Sequence, residues 1–194
     1  MKKDIILAGV GGQGIISIAS VIGYAALQEK MFLKQSEVHG MSVRGGDVMS
    51  NLRISHHEIA SDLIPFGQAD LIISVEPLES LRYLEYLSPD TGWLVTNLTP
   101  FNNMQHYPDI EKVMAEINKL PRHVALDADK LAKEAGSAKS ANIVILGAAS
   151  PFLGLPFEKF EDAIRFIFRS KEKSVIERNL EALKLGRDFA DKNI

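Results

Sequence analysis

Apolar positions along this chain follow two alternating rhythms, short continuous runs and stripes spaced three and four residues apart. The run "DIILA" leads into a glycine-rich turn and predicts a first strand. From Ile15 to about Lys30 the spacing changes, and Ile15, Ile18, Ala19, Ile22 and Ala26 line one face of a helix. Its small residues Ser17, Ala19, Ser20, Gly23, Ala25 and Ala26 suit close packing on a sheet. A second strand is expected at about Phe32 to Ser36 and another from Val48 to Ile54, the latter turning at His56-His57 into a further short strand. "ADLIISVEP" has four apolar residues in the five positions from Leu71 to Val75, the pattern of a buried strand. The helix "LESLRYLEYL" then presents Leu78, Leu81, Leu84 and Leu87. "GWLVTNLTP" predicts a strand, Ile110 to Leu120 a helix, and "RHVALDA" a strand opening into a helix from Asp127 to Glu134. "ANIVILGAA" is read as a buried helix, although its periodicity also admits a strand. Two C-terminal helices carry Phe160, Ile164 and Phe168, then Ile176, Leu180 and Leu183.

Strands alternating with helices imply an α/β fold, Rossmann-like, with a mainly parallel sheet covered by helices on both faces and a hairpin insertion after the second strand. No internal repeat or low-complexity linker interrupts the 194 residues, 46% of them hydrophobic, so one domain spanning 1–194 is expected to bury a substantial core.

Charge and cysteine content narrow the function. A formal net charge of −3 supplies no basic face for nucleic acid. No run of about 18 apolar residues suggests a membrane span. The basic start "MKKDIILAGVGG" has an apolar run only a strand long, so it reads as the first strand of a cytoplasmic chain and not as an export signal. The chain has no cysteine, which excludes disulfides, thiolate nucleophiles and cysteine-ligated iron–sulfur clusters within it. Any metal centres of an electron-transfer reaction must lie in another chain. Neighbouring residues on a strand point to opposite faces, so His56-His57 cannot easily share one metal, and no metal site is expected.

Candidate chemistry concentrates in two glycine segments. "LAGVGGQGI" holds Gly9, Gly11 and Gly14 in GxGxxG spacing, with Gly12 and Gln13 between them. Such a turn between strand and helix aims backbone amides and a helix N-terminus at an anion; alternatively, its glycines serve only a tight turn and close packing. A nicotinamide site would also need an acid about 20 residues on, at the end of the second strand. Glu37, 23 residues after Gly14, qualifies by spacing. It is followed at once by "VHGMSVRGG", a second glycine turn carrying Arg44, Gly45 and Gly46 where the adenine ribose should lie open, so NAD is not favoured. An arginine before two glycines can hold a phosphate or carboxylate while the backbone approaches closely, or can simply face solvent from a turn. His39 and Met41 are placed to line the same mouth, and Glu76 ends a strand there. Asp127 and Asp129 read as a helix N-cap and a first-turn acid. Ser17, Ser42 and Ser50 lack the context of a nucleophile elbow. A phosphate-cradling turn without chemical machinery of its own suggests a subunit that shares a site with a partner.

"GVGGQGI", "EVHGMSVRGG", "SNLRIS" and "ADLIISVEPLE", in that order, resemble the gamma domain of 2-oxoacid:ferredoxin oxidoreductases. Within that family, EVHGMxxRGG is most similar to the beta subunits of indolepyruvate:ferredoxin oxidoreductases, and the likeness runs through essentially the whole chain. The resemblance implies oxidative decarboxylation of an aryl 2-oxoacid to an acyl-CoA and carbon dioxide, with ferredoxin as electron acceptor. It also implies that thiamine diphosphate and the iron–sulfur clusters belong to a large catalytic partner subunit, with coenzyme A as co-substrate. By the same resemblance Gly9, Gly11, Gly12, Gln13 and Gly14, with Ser42, Arg44, Gly45 and Gly46, belong at a mouth shared with that partner and its coenzyme A. A surface built to meet a partner is also expected to pair into homodimers when the chain is isolated. The alternative, a free-standing NAD-dependent dehydrogenase or nucleotide-binding module, predicts saturable NADH binding by the chain alone.

Overall fold

The computed structural model describes residues 1–40, 45–101 and 106–194. Six strands among these residues form one sheet: β1 (Lys2–Val10), β2 (Phe32–His39), β3 (Asp47–Ser55), β4 (Leu71–Ser74), β5 (Trp93–Asn97) and β6 (His123–Leu126). Their spatial order is β2-β3-β1-β4-β5-β6. The β1–β4, β4–β5 and β5–β6 pairs are parallel, while β3 runs antiparallel to both β1 and β2. The hairpin is β2–β3 and not the one expected after the second strand, between Val48–Ile54 and a strand beyond His56-His57; it folds back so that β3 lies beside β1. Val48–Ile54 is buried along nearly its whole length, as a central strand must be, whereas "FLKQSEVH" of β2 is largely exposed, as an edge strand can be. The two strands that end in glycine segments, β1 and β2, are thus separated by β3 instead of being neighbours as the chain order suggests.

Among the described residues seven α-helices cover the sheet: α1 (Ile15–Gln28), α2 (Pro77–Arg82), α3 (Ile110–Ile117), α4 (Ala128–Glu134), α5 (Ala141–Leu153), α6 (Phe157–Ile167) and α7 (Lys173–Asn193). Side-chain alternation along β1 assigns them to faces. Ile5 and Leu7 join the larger core with residues of α1, α4, α5, α6 and α7; Ile6 and Ala8 join a smaller core with α2 and α3. The apolar stripe of α1 is buried as its spacing requires, and "ANIVILGAA" is the buried helix α5. Two expectations are shortened: the helix over Leu78–Leu87 breaks at Arg82 into a 3-10 turn over Leu84–Tyr86, and α3 ends at Ile117. No strand follows His56-His57; His56 N donates to Met1 O at 3.0 Å and His57 N to Ser55 Oγ at 3.0 Å, tying the chain to the terminus.

Candidate functional site

The carboxyl ends of β1 and β4 lie side by side where the connections depart in opposite directions, the position at which open α/β sheets bind ligands. The β1–α1 turn is built by its own glutamine. Gln13 N donates to Val10 O at 3.1 Å, Gln13 Oε1 accepts from Val10 N at 2.8 Å, and Gln13 Nε2 reaches Val75 O, at the end of β4, at 3.5 Å. Gly9 is needed for closeness: a Cβ there would meet Val75 Cγ2 at 2.4 Å. Gly12, exposed with φ +99°, and Gly14, with φ +84°, take the left-handed conformations that close the turn. Gly14 also caps α1, where its carbonyl accepts from Ser17 N, Ile18 N and Asn142 Nδ2.

Gly11 N is already committed, donating to Gly46 O at 2.8 Å, so the two glycine segments are joined directly despite the strand between β1 and β2. By contrast, the amides of Gly12, Gly14, Ile15 and Ile16 have no partner among the described residues and remain available at the start of a 14-residue helix. Gly45 has φ +79°, and Gly40 N donates to Asp47 O at 2.9 Å to close the base of the second segment. Ser42 and Arg44, with Met41, lie outside the described residues. His39 is exposed and pairs with Glu37 on β2, away from the turn.

Two cavities open at the glycine turn and share Gly12, Gln13, Ala138, Lys139 and Asn142. The first, about 480 Å³, reaches over the ends of β4 and β5 to Asn97, Phe101 and Asp129. Asn97 Nδ2 donates to Asp129 Oδ2 at 2.8 Å, and Asn97 Oδ1 accepts from Ala128 N at 3.1 Å, so the floor is polar and fixed. The second, about 670 Å³, runs along the start of α1 to Ser17, Ser137, Arg178 and Asn179. Lys139 and Arg178 are exposed and make no ion pair among the described residues, so two cations stand beside the free amides. No sequence pattern marks these residues; they lie more than a hundred positions after the glycine turn.

The strand-end acid Glu76 is turned inward. It is buried, caps α2 by accepting from Glu79 N at 2.8 Å, and also accepts from Phe101 N and from the Tyr107 hydroxyl. Burial, reinforced by that hydrogen bond to Glu76, raises the Tyr107 phenol above its ordinary value. Burial also raises the carboxyl of neighbouring Glu79, against the pull of Arg82 at 2.9 Å. Tyr83, beside Asp47, is pushed up to about 12, mainly by burial. Asp127 is the expected N-cap, accepting from Lys130 N at 2.9 Å. Asp129 does more than face a dipole, because it lines the first cavity.

A nicotinamide ribose would need its acid on a parallel strand beside β1. That position is occupied by antiparallel β3, and Glu37 lies on β2 at the sheet's outer edge, paired with His39. Among the described residues no group of three or more His, Cys, Asp or Glu could hold a metal ion, and no helix is long and apolar enough to cross a membrane.

A family model described as "Pyruvate ferredoxin/flavodoxin oxidoreductase" matches residues 4–189. The chain belongs to this pyruvate ferredoxin/flavodoxin oxidoreductase family. It is 34% identical to the indolepyruvate oxidoreductase subunit IorB of Archaeoglobus fulgidus, over 98% of this chain and 96% of that one. The IorB subunit of Thermococcus kodakarensis is 37% identical, over 96% and 95% of the two chains. Its fold is that of a part of the 2-oxoglutarate:ferredoxin oxidoreductase from Magnetococcus marinus, solved with 2-oxoglutarate, coenzyme A and succinyl-CoA bound. That likeness has a TM-score of 0.77 at 23% identity and covers 98% of this chain and 31% of the other. Members of the oxidoreductase family thus carry this fold both as a free small subunit and as one segment of a longer chain.

Proposed function

We propose that the chain is the small subunit of a thiamine-diphosphate-dependent 2-oxoacid:ferredoxin oxidoreductase, inactive alone, that converts indolepyruvate and related aryl pyruvates to an acyl-CoA and carbon dioxide. The near full-length identity to two indolepyruvate oxidoreductase subunits carries this reading. The amino-acid inventory fits the division of labour. With no cysteine, the chain offers no thiolate ligands for an iron–sulfur cluster, so the electron pair released by decarboxylation must pass to clusters and then ferredoxin through a large partner subunit.

This chain's contribution is a binding surface. Free amides of Gly12, Gly14, Ile15 and Ile16 at the positive end of α1, flanked by Lys139 and Arg178, suit the pyrophosphate and phosphate groups of coenzyme A. Gly9, Gly11 and Gln13 shape that turn, Gln13 also lining both cavities, and Gly46 holds the second glycine segment against it. Gly45, next to Gly46, is assigned to the same mouth, and Ser42 and Arg44 are assigned to it by the family resemblance alone.

The test is reconstitution. The purified chain, its large subunit, thiamine diphosphate, coenzyme A and indolepyruvate are mixed, and reduction of an artificial electron acceptor is followed. Reduction that requires both chains is the expected result. Full activity from the large subunit alone, or saturable NADH binding by the isolated chain, would overturn the reading.

A further inference from the structure

A cavity of about 310 Å³ lies at the end of the sheet opposite the glycine turn. It is bounded by the residues that lead into two neighbouring parallel strands, Gly92 before β5 and Arg122 before β6. The length of β5, roughly 17 Å, separates it from the strand ends that carry the ligand mouth. Its volume falls at the lower end of the roughly 300–1,000 Å³ of small-molecule sites.

The lining is apolar with a single charge. Leu84, Leu87 and Leu120 pack against the smaller core yet stay only partly buried, and with Pro89 and Pro121 they form most of the wall. Leu87 closes on the bare backbone of Gly92, where a Cβ would lie 2.6 Å from its Cγ. No acidic side chain lines the cavity. The charge is Arg122, half-buried and oriented by the turn before β5: Nε donates to Gly92 O at 3.2 Å and Nη2 to Pro89 O at 2.6 Å. Both acceptors are neutral carbonyls, and the guanidinium makes no ion pair among the described residues. Nη1 and the second N–H of Nη2, its end-on edge, have no partner there either.

We propose that this cavity binds a small hydrophobic monocarboxylate, its apolar body against Leu84, Leu87 and Leu120 and its carboxylate on the end-on edge of Arg122. The planar pair of carboxylate oxygens matches two parallel N–H bonds of a guanidinium. One negative charge balances one cation, whereas a phosphate dianion meets no second cation in the lining. The apolar body completes the burial of three leucines that folding leaves partly uncovered. Arg122 is held by two carbonyls before any ligand arrives, so little side-chain freedom is lost on binding.

Calorimetric titration of the full chain with phenylacetate and indole-3-acetate, beside the neutral phenylacetamide and indole-3-acetamide, tests the site. Each acid is expected to bind once with a Kd below about 1 mM, and its amide at least tenfold more weakly for want of the charge-assisted contact. The Arg122 Nε–H resonance is expected to shift along the same titration curve. Arg122→Gln is expected to bring acid and amide to the same weak affinity. Because Arg122 also holds the turn before β5, a second variant leaves its hydrogen bonds alone. Leu120→Trp fills the cavity and is expected to abolish binding, with unchanged circular dichroism confirming its fold. A Kd above about 1 mM for both acids, equal affinities for acid and amide, or binding that survives in Leu120→Trp would each overturn the proposal. So would release of the bound acid on adding the large subunit, which would give the cavity to the subunit contact. None of these readouts depends on enzymatic activity, so they fail or succeed independently of the functional assignment.

Discussion

Asn142 on α5 donates its side-chain amide to the carbonyl of Gly14 at 3.1 Å, fastening the start of α1 to a helix 128 residues further along the chain. The contact leaves no room at Gly14, where a Cβ would fall 2.4 Å from Asn142 Nδ2. Gly14 is thus fixed by two independent demands, the left-handed φ of +84° and the approach of Asn142. The glycine turn gains rigidity from this arrangement, because its free amides are aimed by a packed helix.

The first prediction separates those demands. Gly14→Ala is expected to destabilise the chain by about 2–3 kcal/mol, combining about 1–2 for the left-handed conformation with about 1 for the displaced hydrogen bond. Adding Asn142→Ala should recover the steric part and leave the conformational part. Urea unfolding of both single variants and the double variant forms the cycle, and strict additivity would show that the two residues do not interact.

Legibility in the sequence followed the range of the interaction that decides each feature. β1, β4 and α1 were readable because burial periodicity is local: Ile15, Ile18 and Ile22 announce their face without reference to anything distant, whereas the continuous apolar run of α5 left a strand equally open. The glycine turn was readable for the same reason, since a left-handed residue such as Gly14 leaves its mark at one position. Strand order was not. Whether β2 or β3 lies beside β1 depends on pairings across the sheet, although the wholly polar stretch Lys34–Glu37 against Val48–Ile54, with its four apolar residues, carried a usable hint of edge and centre. Lys139 and Arg178 were invisible because a surface cation has no local pattern, and only the packing of α5 and α7 beside α1 brings them to the turn. Glu76 was readable as a strand-end acid but not as a buried cap, since its partners Phe101 and Tyr107 arrive from a later connection.

In the reconstituted enzyme, Lys139→Ala and Arg178→Ala are each expected to raise KM for coenzyme A roughly tenfold or more, the loss of one charge-assisted contact of about 1.5–3 kcal/mol. The value of kcat at saturating coenzyme A should change little, because neither group reaches the reacting carbon in this assignment. Raising ionic strength should weaken coenzyme A binding in the unmodified enzyme more than in either variant. A fall in kcat with KM unchanged would place these cations at the subunit contact instead.

Glu79 supplies a pH test. Burial raises its carboxyl above the ordinary 4.5, and Arg82 only partly offsets that. Between the unfolded and folded values the native state holds the proton more tightly, so stability falls as pH rises through that interval and levels off above it. Glu79→Gln cannot titrate. The stability of the unmodified chain relative to Glu79→Gln is therefore expected to decline as pH is raised from about 4 to 8, measured by urea unfolding at each pH. The opposite slope would mean that the Arg82 pair outweighs desolvation.

The last prediction concerns the support behind the site. Gly147 on α5 and Gly186 on α7 let the two helices touch backbone to backbone, since a Cβ at Gly186 would lie 1.9 Å from Val144 O and one at Gly147 2.0 Å from Leu183 O. Neither obstacle is a flexible side-chain end, so an added methyl must push whole helices apart. Gly186→Ala is expected to cost at least the upper end of the roughly 1–3 kcal/mol typical of overpacking, lowering Tm by about 6–12 °C for a chain of this length. Because α5 carries Asn142 and α7 carries Arg178, the same shift should loosen the glycine turn and the cation beside it. Coenzyme A affinity of the reconstituted enzyme should then fall even at temperatures where Gly186→Ala is fully folded. Gly136→Ala provides the contrast: its nearest obstacle is the Arg178 side chain at 3.7 Å, so the strain there is one of φ alone. If Gly186→Ala unfolds no more easily than Gly136→Ala, the two helices are not held at backbone contact.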